Sequence, residues 1–169
     1  YYYVNKSSLP KVYGGFNTSL SWKGFDLSAI FAYSIGGYIY NRDITMILHN
    51  GSLEGRDWST EILKRWTPEN RYTDVPALST TSNNWNSAST RFLQNNSYMR
   101  LKNLTLSYDL PKQWISKLAL SSVQVFVQGD NLFTIHRDQG LDPEQGITGI
   151  TYYRYPAMRT ISGGINLSF

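Results

Sequence analysis

The sequence predicts an all-β protein whose strands form part of the wall of a transmembrane β-barrel. Apolar and polar residues alternate in five segments, just as side chains alternate between the two faces of a β-strand. Aromatic residues make up 15% of the 169 residues and charged residues only 17%, whereas typical globular domains have about 25% charged residues. Short and long connections follow each other along the chain, as in outer-membrane barrels, where short turns face the periplasm and long loops face outward.

Composition argues against several other classes of protein. Mean hydropathy is −0.37, and no apolar run reaches the roughly 18 residues that indicate a transmembrane helix. Cysteine is absent, so neither a disulfide framework nor a thiolate metal site is expected. The net charge of +4 is modest, and no basic cluster is interleaved with aromatic residues, so nucleic acid is not an expected partner.

The first two strands are predicted over residues 11–22 and 25–40, with a tight turn at Lys23-Gly24. Both strands place their large apolar residues at alternate positions, so the hairpin has one apolar face and one polar face. The apolar face is expected to contact lipid. Its lipid-facing candidates in the second strand are Phe25, Leu27 and Phe31.

Two further strands are predicted over residues 98–110 and 122–135. In the former, Met99 and Leu101 are out of phase with the leucines that follow, which predicts a β-bulge near Lys102-Asn103. The connection Pro111–Leu118 is expected to be a short turn with one helical turn, in which Trp114 and Leu118 point inward.

The clearest strand is predicted over residues 157–169, at the end of the sequence. A tilted strand of about ten residues is long enough to cross a bilayer core. Its even positions from Thr160 to Ser168 are small or polar, and its odd positions from Ile161 to Phe169 are apolar or Gly. The lipid-facing candidates are Ile161, Ile165, Leu167 and Phe169.

Alternation is lost in two long segments, which are expected to be outer loops at about residues 41–91 and 137–155. Within the first loop, Asp57–Trp66 is expected to form a short helix, because Asp57 can cap its N-terminus. Trp58, Ile62 and Trp66 would then share one face at a spacing of four residues. Long connections of this kind tend to be functional.

Five strands alone are not expected to be a complete membrane structure. Lipid offers no hydrogen-bond partner, so each unpaired backbone group at a sheet edge costs several kcal/mol. An open sheet would therefore lose tens of kcal/mol, against a typical total stability of about 5–15 kcal/mol. We expect the chain to be part of a larger closed barrel.

Six motifs in order resemble one family. They are Trp22-Lys23-Gly24-Phe25-Asp26-Leu27-Ser28, Arg65-Trp66-Thr67-Pro68-Glu69-Asn70, Tyr98-Met99-Arg100-Leu101-Lys102-Asn103-Leu104-Thr105-Leu106, Gly129-Asp130-Asn131-Leu132-Phe133, Gly140-Leu141-Asp142-Pro143-Glu144 and Tyr155-Pro156. Together they are similar to the C-terminal portion of SusC/RagA-type TonB-dependent outer-membrane transporters. The resemblance covers nearly the whole chain.

The resemblance implies the last five antiparallel strands of a barrel of about 22 strands with a plugged lumen, integral to the outer membrane of a Gram-negative bacterium. It implies active import of oligosaccharides or peptides, driven by the TonB complex, with a SusD-like surface lipoprotein as partner. The other expected partners are the remainder of the barrel, the plug and membrane lipid. Phe169 resembles the terminal signal that the barrel-insertion machinery recognises.

Four aromatic residues are candidates for contact with a substrate or partner: Trp85, Trp66, Trp58 and Tyr153. The alternative for Trp58 and Trp66 is packing of the loop helix onto its neighbours. Trp85 lies in a run of Ser, Thr and Asn that offers nothing obvious to pack against, so it is the better candidate. The alternative for Tyr153, and for Tyr152 and Tyr155, is anchoring at the membrane interface.

Other chemistry is weakly indicated. Asp138, Asp142 and Glu144 are a conceivable Ca²⁺ site, but their spacing fits no EF-hand and a turn at Asp142-Pro143 is the favoured interpretation. His49 and His136 are expected to be solvated. No catalytic triad, carboxylate pair or phosphate-binding loop stands out, so neither an enzyme nor a metal or cofactor is expected.

Two other functions compete with nutrient import. One is an outer-membrane adhesin or secretion barrel, which would lack the plug and the TonB-contact segment of a transporter. The other is a soluble carbohydrate-binding sandwich, which would stay monomeric without detergent.

Overall fold

The structure is a computed structural model that describes residues 4–49, 55–79, 87–116, 120–137, 142–144, 146, 148–151 and 153–169. It divides into two compact units. The sheet unit comprises residues 9–37, 96–144 and 155–169, and the loop unit comprises residues 1–8, 38–95 and 145–154. No helix among the described residues is both long enough and apolar enough to cross a membrane.

The described strands are β1 (Val12–Trp22), β2 (Phe25–Ile35), β3 (Tyr38–Asn41), β4 (Leu93–Asn95), β5 (Tyr98–Asp109), β6 (Ser122–His136), β7 (Ile150–Thr151) and β8 (Thr160–Ser168). The α-helices are α1 (Arg42–Ile47) and α2 (Lys112–Ile115), and 3₁₀ helices span Thr60–Lys64 and Thr90–Phe92. The sheet unit holds an antiparallel sheet in the order β1-β2-β5-β6-β8. This confirms the predicted fold class of five antiparallel strands.

The strand register places large apolar residues on one side of this sheet, here called the apolar face. Directly paired residues point the same way, and the pairs include Phe16 with Phe31, Phe25 with Tyr108, and Val125 with Ile165. The Phe16 and Phe31 rings stack with centroids 4.7 Å apart. The residues between these positions form the polar face, which is rich in Ser, Thr, Asn and Gln.

The bulge predicted near Lys102-Asn103 is confirmed. On β2, Phe31 pairs with Leu101 while Ile30 pairs with Asn103, so Lys102 is the extra residue. The pairing of β5 with β6 is also irregular between Leu101 and Asn103, and on β6 Asn131 has a left-handed φ of 52°. The bulge restores the phase, because it puts Leu101 and Leu104 on the same face despite their odd spacing.

The second strand is shorter than the predicted 25–40. It ends at Ile35 because Gly36 and Gly37 take positive φ values of 81° and 78°, which redirect the chain. The continuation, β3, belongs to a separate sheet with the order β4-β3-β7. The last strand spans Thr160–Ser168 rather than 157–169.

The short connection before β6 contains the expected helical turn, α2, but its inward residue was predicted wrongly. Ile115 is buried, with 3% of its surface exposed, whereas Trp114 is 64% exposed. A single helical turn has room to bury one side chain, and the side chain buried here is that of Ile115, which is smaller than that of Trp114. Leu118 lies outside the described residues.

In the loop unit, α1 starts at a side-chain cap: the Asn41 Oδ1 atom accepts a hydrogen bond of 3.1 Å from the Ile44 N–H group. The helix predicted over Asp57–Trp66 was wrong in its extent, since the segment forms only the 3₁₀ helix Thr60–Lys64. Its cap is Ser59, whose Oγ atom accepts from the Glu61 N–H group, rather than Asp57. Ile62 lies in a small buried cluster with Val75.

Candidate functional site

The polar face carries a network of amides and a carboxylate on neighbouring strands. Asp130 Oδ1 accepts hydrogen bonds from Asn103 Nδ2 at 2.8 Å and from Gln128 Nε2 at 3.3 Å. Thr105 Oγ1 in turn donates to Asn103 Oδ1 at 3.0 Å. The network links β5 to β6 beside the bulge, and all its members share one side of the sheet.

A buried arginine lies at the centre of the best-defined charged cluster of the sheet unit. Arg100 is 3% exposed, and its Nε atom donates to Thr134 Oγ1 at 2.9 Å. Its two terminal nitrogens contact Asp142 Oδ1 at 2.5 Å and Glu144 Oε2 at 2.9 Å. A guanidinium group holds a fixed fork of donors, so Arg100 fastens the 142–144 segment onto the sheet.

Asp142 is the second anchor of this segment. Its Oδ2 atom accepts from the Ala157 N–H group at 2.6 Å, and its Oδ1 atom accepts from the Glu144 N–H group at 2.9 Å. Burial alone would raise the pKa of the Asp142 carboxyl, but the hydrogen bonds from Ala157, Arg100 and Glu144 outweigh burial and lower the pKa. Asp142 therefore stays ionised to a lower pH than an ordinary aspartate.

Lys102 completes the cluster from the bulge. Its Nζ atom lies 2.5 Å from Glu144 Oε2, at the more exposed edge, where the Lys102 and Glu144 side chains are 32% and 38% exposed. The described carboxylates of the conceivable Ca²⁺ site, Asp142 and Glu144, are thus bound to cationic side chains. Asp138 lies outside the described residues.

Arg100 and its contacts were missed by the sequence analysis, which considered Asp142 and Glu144 only as a metal site or a turn. The signal was present in the motifs themselves. Arg100-Leu101-Lys102 places two cations in one motif and Asp142-Pro143-Glu144 places two anions in another, at a matching spacing of two residues. Opposite charges attract, and in the structure Arg100 contacts both anions while Lys102 contacts Glu144.

The three aromatic candidates that the structure describes, Trp58, Trp66 and Tyr153, are all exposed. Trp58 and Trp66 are 42% and 43% exposed and Tyr153 is 68% exposed, while Trp85 lies outside the described residues, as does Tyr152. Trp58 packs edge-on against His49 with centroids 5.2 Å apart. Their contact with a substrate or partner stays a prediction.

Tyr153 has the most specific surroundings of these aromatic residues. Its N–H group donates to Asp43 Oδ1 at 3.0 Å, and its hydroxyl lies 3.5 Å from both Arg56 Nη1 and Met46 Sδ. Its φ of 50° is a left-handed value that is uncommon for a residue other than glycine. The tyrosine ring is therefore positioned by contacts from α1 and from Arg56.

The expectation that His49 is solvated was wrong. His49 is completely buried, with 0% of its surface exposed, because the chain returns and packs Trp58 against its ring. His136 is half-buried at the end of β6.

The lipid-facing candidates of β2 and β8 all lie on the apolar face. Ile161, Ile165 and Leu167 are 71%, 63% and 52% exposed. Phe25 and Leu27 are 44% and 39% exposed, and Phe31 is half-buried by its stacking on Phe16. Phe169 follows the last residue of β8 and is 92% exposed. Their contact with lipid is a prediction to be tested.

No family model matches the chain. It is similar to three curated proteins. TonB-dependent receptor P3 of Formosa agariphila is 33% identical over 92% of the chain and 16% of the receptor, and TonB-dependent receptor P26 of the same organism is 30% identical over 96% and 17%. TonB-dependent receptor SusC of Bacteroides thetaiotaomicron is 27% identical over 99% and 16%. The chain thus spans about one sixth of the length of these relatives.

Solved structures of the RagAB peptide importer contain a chain of the same fold. In the open-open state, the TM-score is 0.86 at 35% identity, over 98% of this chain and 18% of the importer chain. In the closed-closed state, the TM-score is 0.85 with the same identity and coverage. This part of the fold is matched equally well in both states.

Proposed function

Since the chain corresponds to a portion of a TonB-dependent receptor of the SusC/RagA family, we propose that it forms five wall strands of an outer-membrane nutrient importer in a Gram-negative bacterium. The sheet unit would line a lumen with its polar face and meet lipid with its apolar face. The loop unit would lie outside the membrane. The substrate class would be oligosaccharides or peptides.

The observation that carries the proposal is the exposed apolar face of an open sheet. Among the described strands, β1 and β8 each pair on one side only. A sheet with such edges is stable in lipid only when further strands close it. The relatives are about six times as long as the chain, so further strands in the intact protein are consistent with closure.

We further propose a SusD-like lipoprotein as the partner on the outer side and the TonB complex as the energy source. The similar RagAB complex is a peptide importer, which favours peptides as the first substrate to test.

Co-purification of the affinity-tagged full-length receptor from outer membranes should yield a lipoprotein in near-equal amount. A receptor purified alone would argue against this partner.

Import itself is tested by deleting the full-length gene and measuring growth on a peptide mixture, and separately on an oligosaccharide mixture, as the limiting nutrient. Loss of growth on one substrate, rescued by the intact gene but not in a strain lacking TonB, is the expected result. Unchanged growth on both, with the receptor still present at the surface of the parent strain, would instead favour the adhesin alternative.

A further inference from the structure

The loop unit contains a cavity of about 580 Å³. Its walls are Asp43, Met46 and Ile47 of α1, the segment Gly55–Asp57, and Tyr153. A volume of this size is within the range of roughly 300–1,000 Å³ that small-molecule sites occupy. The cavity therefore has room for a ligand of a few amino acid residues.

The walls are fastened to one another by specific bonds. Asp43 accepts from the Tyr153 N–H group at 3.0 Å, and the Tyr153 hydroxyl lies 3.5 Å from Arg56 Nη1. The segment after Asp57 is tied back to α1, because the Ser59 N–H group donates to the Ile47 carbonyl at 2.8 Å. Contacts of this kind hold Tyr153 in its left-handed conformation, which is strained for a residue other than glycine.

The lining combines an apolar wall with three charged side chains, those of Asp43, Arg56 and Asp57. Met46 and Ile47 offer aliphatic surface, and Ile47 is 44% exposed. Arg56 and Asp57 are consecutive in the chain and both exposed, so the cavity offers a ligand both a cation and an anion. The Tyr153 ring adds an aromatic surface with a polar tip.

This lining suits a peptide better than a sugar. An apolar side chain of a peptide would pack against Met46 and Ile47, while a carboxylate would bind the Arg56 guanidinium and an ammonium group would bind Asp57. An oligosaccharide would bury hydroxyl groups against the aliphatic wall without hydrogen bonds, which is unfavourable.

We propose that this cavity is a binding site for a short peptide segment with one apolar side chain and charged groups beside it. The proposal rests on the proposed function, since it names a place where an imported peptide would be held by the loop unit. It concerns the loop unit alone.

The test uses the full-length receptor with Ile47→Cys, and Leu63→Cys as the matched control. The described chain has no cysteine of its own, and Leu63 is a 71% exposed residue of the same unit that does not line the cavity. Alkylation by a maleimide is timed in the presence of a short synthetic peptide containing leucine, lysine and glutamate, or of a maltooligosaccharide. Labelling of the parent receptor is subtracted.

With the peptide at about ten times its Kd, alkylation at Ile47→Cys should slow about tenfold, because only the unoccupied fraction reacts. Alkylation at Leu63→Cys should be unchanged, and the maltooligosaccharide should have no effect at either position. Adding Arg56→Gln should weaken the protection by peptide, whereas Lys64→Gln, which changes an exposed cation outside the cavity, should not.

Protection by the oligosaccharide instead of the peptide would overturn the peptide assignment. An absence of protection in a receptor that still imports the same peptide would overturn the site while leaving the proposed function intact. Protection in a receptor that imports nothing would support the site and refute import.

Discussion

Ile165 and Asn166 are neighbours on β8 that point to opposite faces of the sheet. Ile165 pairs with Val125 on the apolar face, and Asn166 pairs with Gln124, whose Oε1 atom accepts from Asn166 Nδ2 at 3.2 Å. Ile165→Arg would place a charge in lipid and should cost about 2–4 kcal/mol near the bilayer midplane. Asn166→Arg would point into the lumen and should be much milder.

Folding of the two full-length variants into lipid vesicles, titrated with urea, measures this difference. Equal losses of stability for Ile165→Arg and Asn166→Arg would show that the two faces are wrongly assigned.

Among the residues of the charged cluster, Arg100 should contribute most to the stability with which the 142–144 segment is attached. Arg100→Gln removes the buried guanidinium that binds Asp142, whose side chain is only 9% exposed. Removing one member of a buried ion pair costs about 3–5 kcal/mol, so the 142–144 segment should open more readily by that amount. Lys102→Gln at the exposed edge should cost only about 0–1 kcal/mol.

Hydrogen exchange at the Ala157 amide, which donates to Asp142, reports this opening. If Arg100→Gln and Lys102→Gln raise the exchange rate equally, the buried arginine is not the anchor of the segment.

The 142–144 segment is an element whose attachment should depend on pH. The pKa of Asp142 is lower in the folded protein than its ordinary value of about 3.9. Its contribution to stability is therefore fully present above the ordinary value, and is lost as the pH falls through the lower folded value. Exchange at the Ala157 amide, corrected for its intrinsic pH dependence, should accelerate on acidification below pH about 4.

Asp142→Asn is the control for this pH dependence, because it cannot ionise. The variant should exchange faster than the parent at neutral pH and should show no such acceleration. A parent protein whose protection is unchanged down to the acid limit would contradict the role of the carboxylate.

The bulge between β5 and β6 depends on the left-handed conformation of Asn131. Its Nδ2 atom also donates to the Met158 carbonyl at 3.2 Å. Asn131→Ala should cost about 1–2 kcal/mol more than Asn131→Gly, because both lose the hydrogen bond but only alanine resists a positive φ. Urea unfolding of the two full-length variants measures the difference, and equal stabilities would mean that the conformation is not strained.

At the scale of the whole molecule, the sheet unit was largely predictable because alternation in a strand follows directly from chain geometry. The five strands, their antiparallel order and the bulge at Lys102 all appear as expected. Leu101 and Leu104 are three residues apart, so they share one face only if an extra residue lies between them. This spacing was enough to locate the bulge. What alternation could not show was where β2 ends, since Ile39 continues its odd-numbered apolar pattern beyond the two glycines that redirect the chain.

The loop unit was poorly predictable, because its elements are short and are set by tertiary contacts. Ser59, not Asp57, caps the 3₁₀ helix, and four-residue spacing misled because a 3₁₀ turn has about three residues. His49 is buried by the chain returning through Trp58. The cavity at Tyr153 joins residues about a hundred positions apart, and local periodicity says nothing about such pairs.

In the proposed barrel, lipid contacts one face of the sheet and water contacts the other. The most direct measurement places single spin labels at residues 161–167 of β8 in the full-length receptor in lipid vesicles. Collisions with oxygen, which partitions into lipid, should peak at odd positions, and collisions with a water-soluble nickel complex should peak at even positions. Accessibility to both reagents without a period of two residues, or with the opposite phase, would contradict the account.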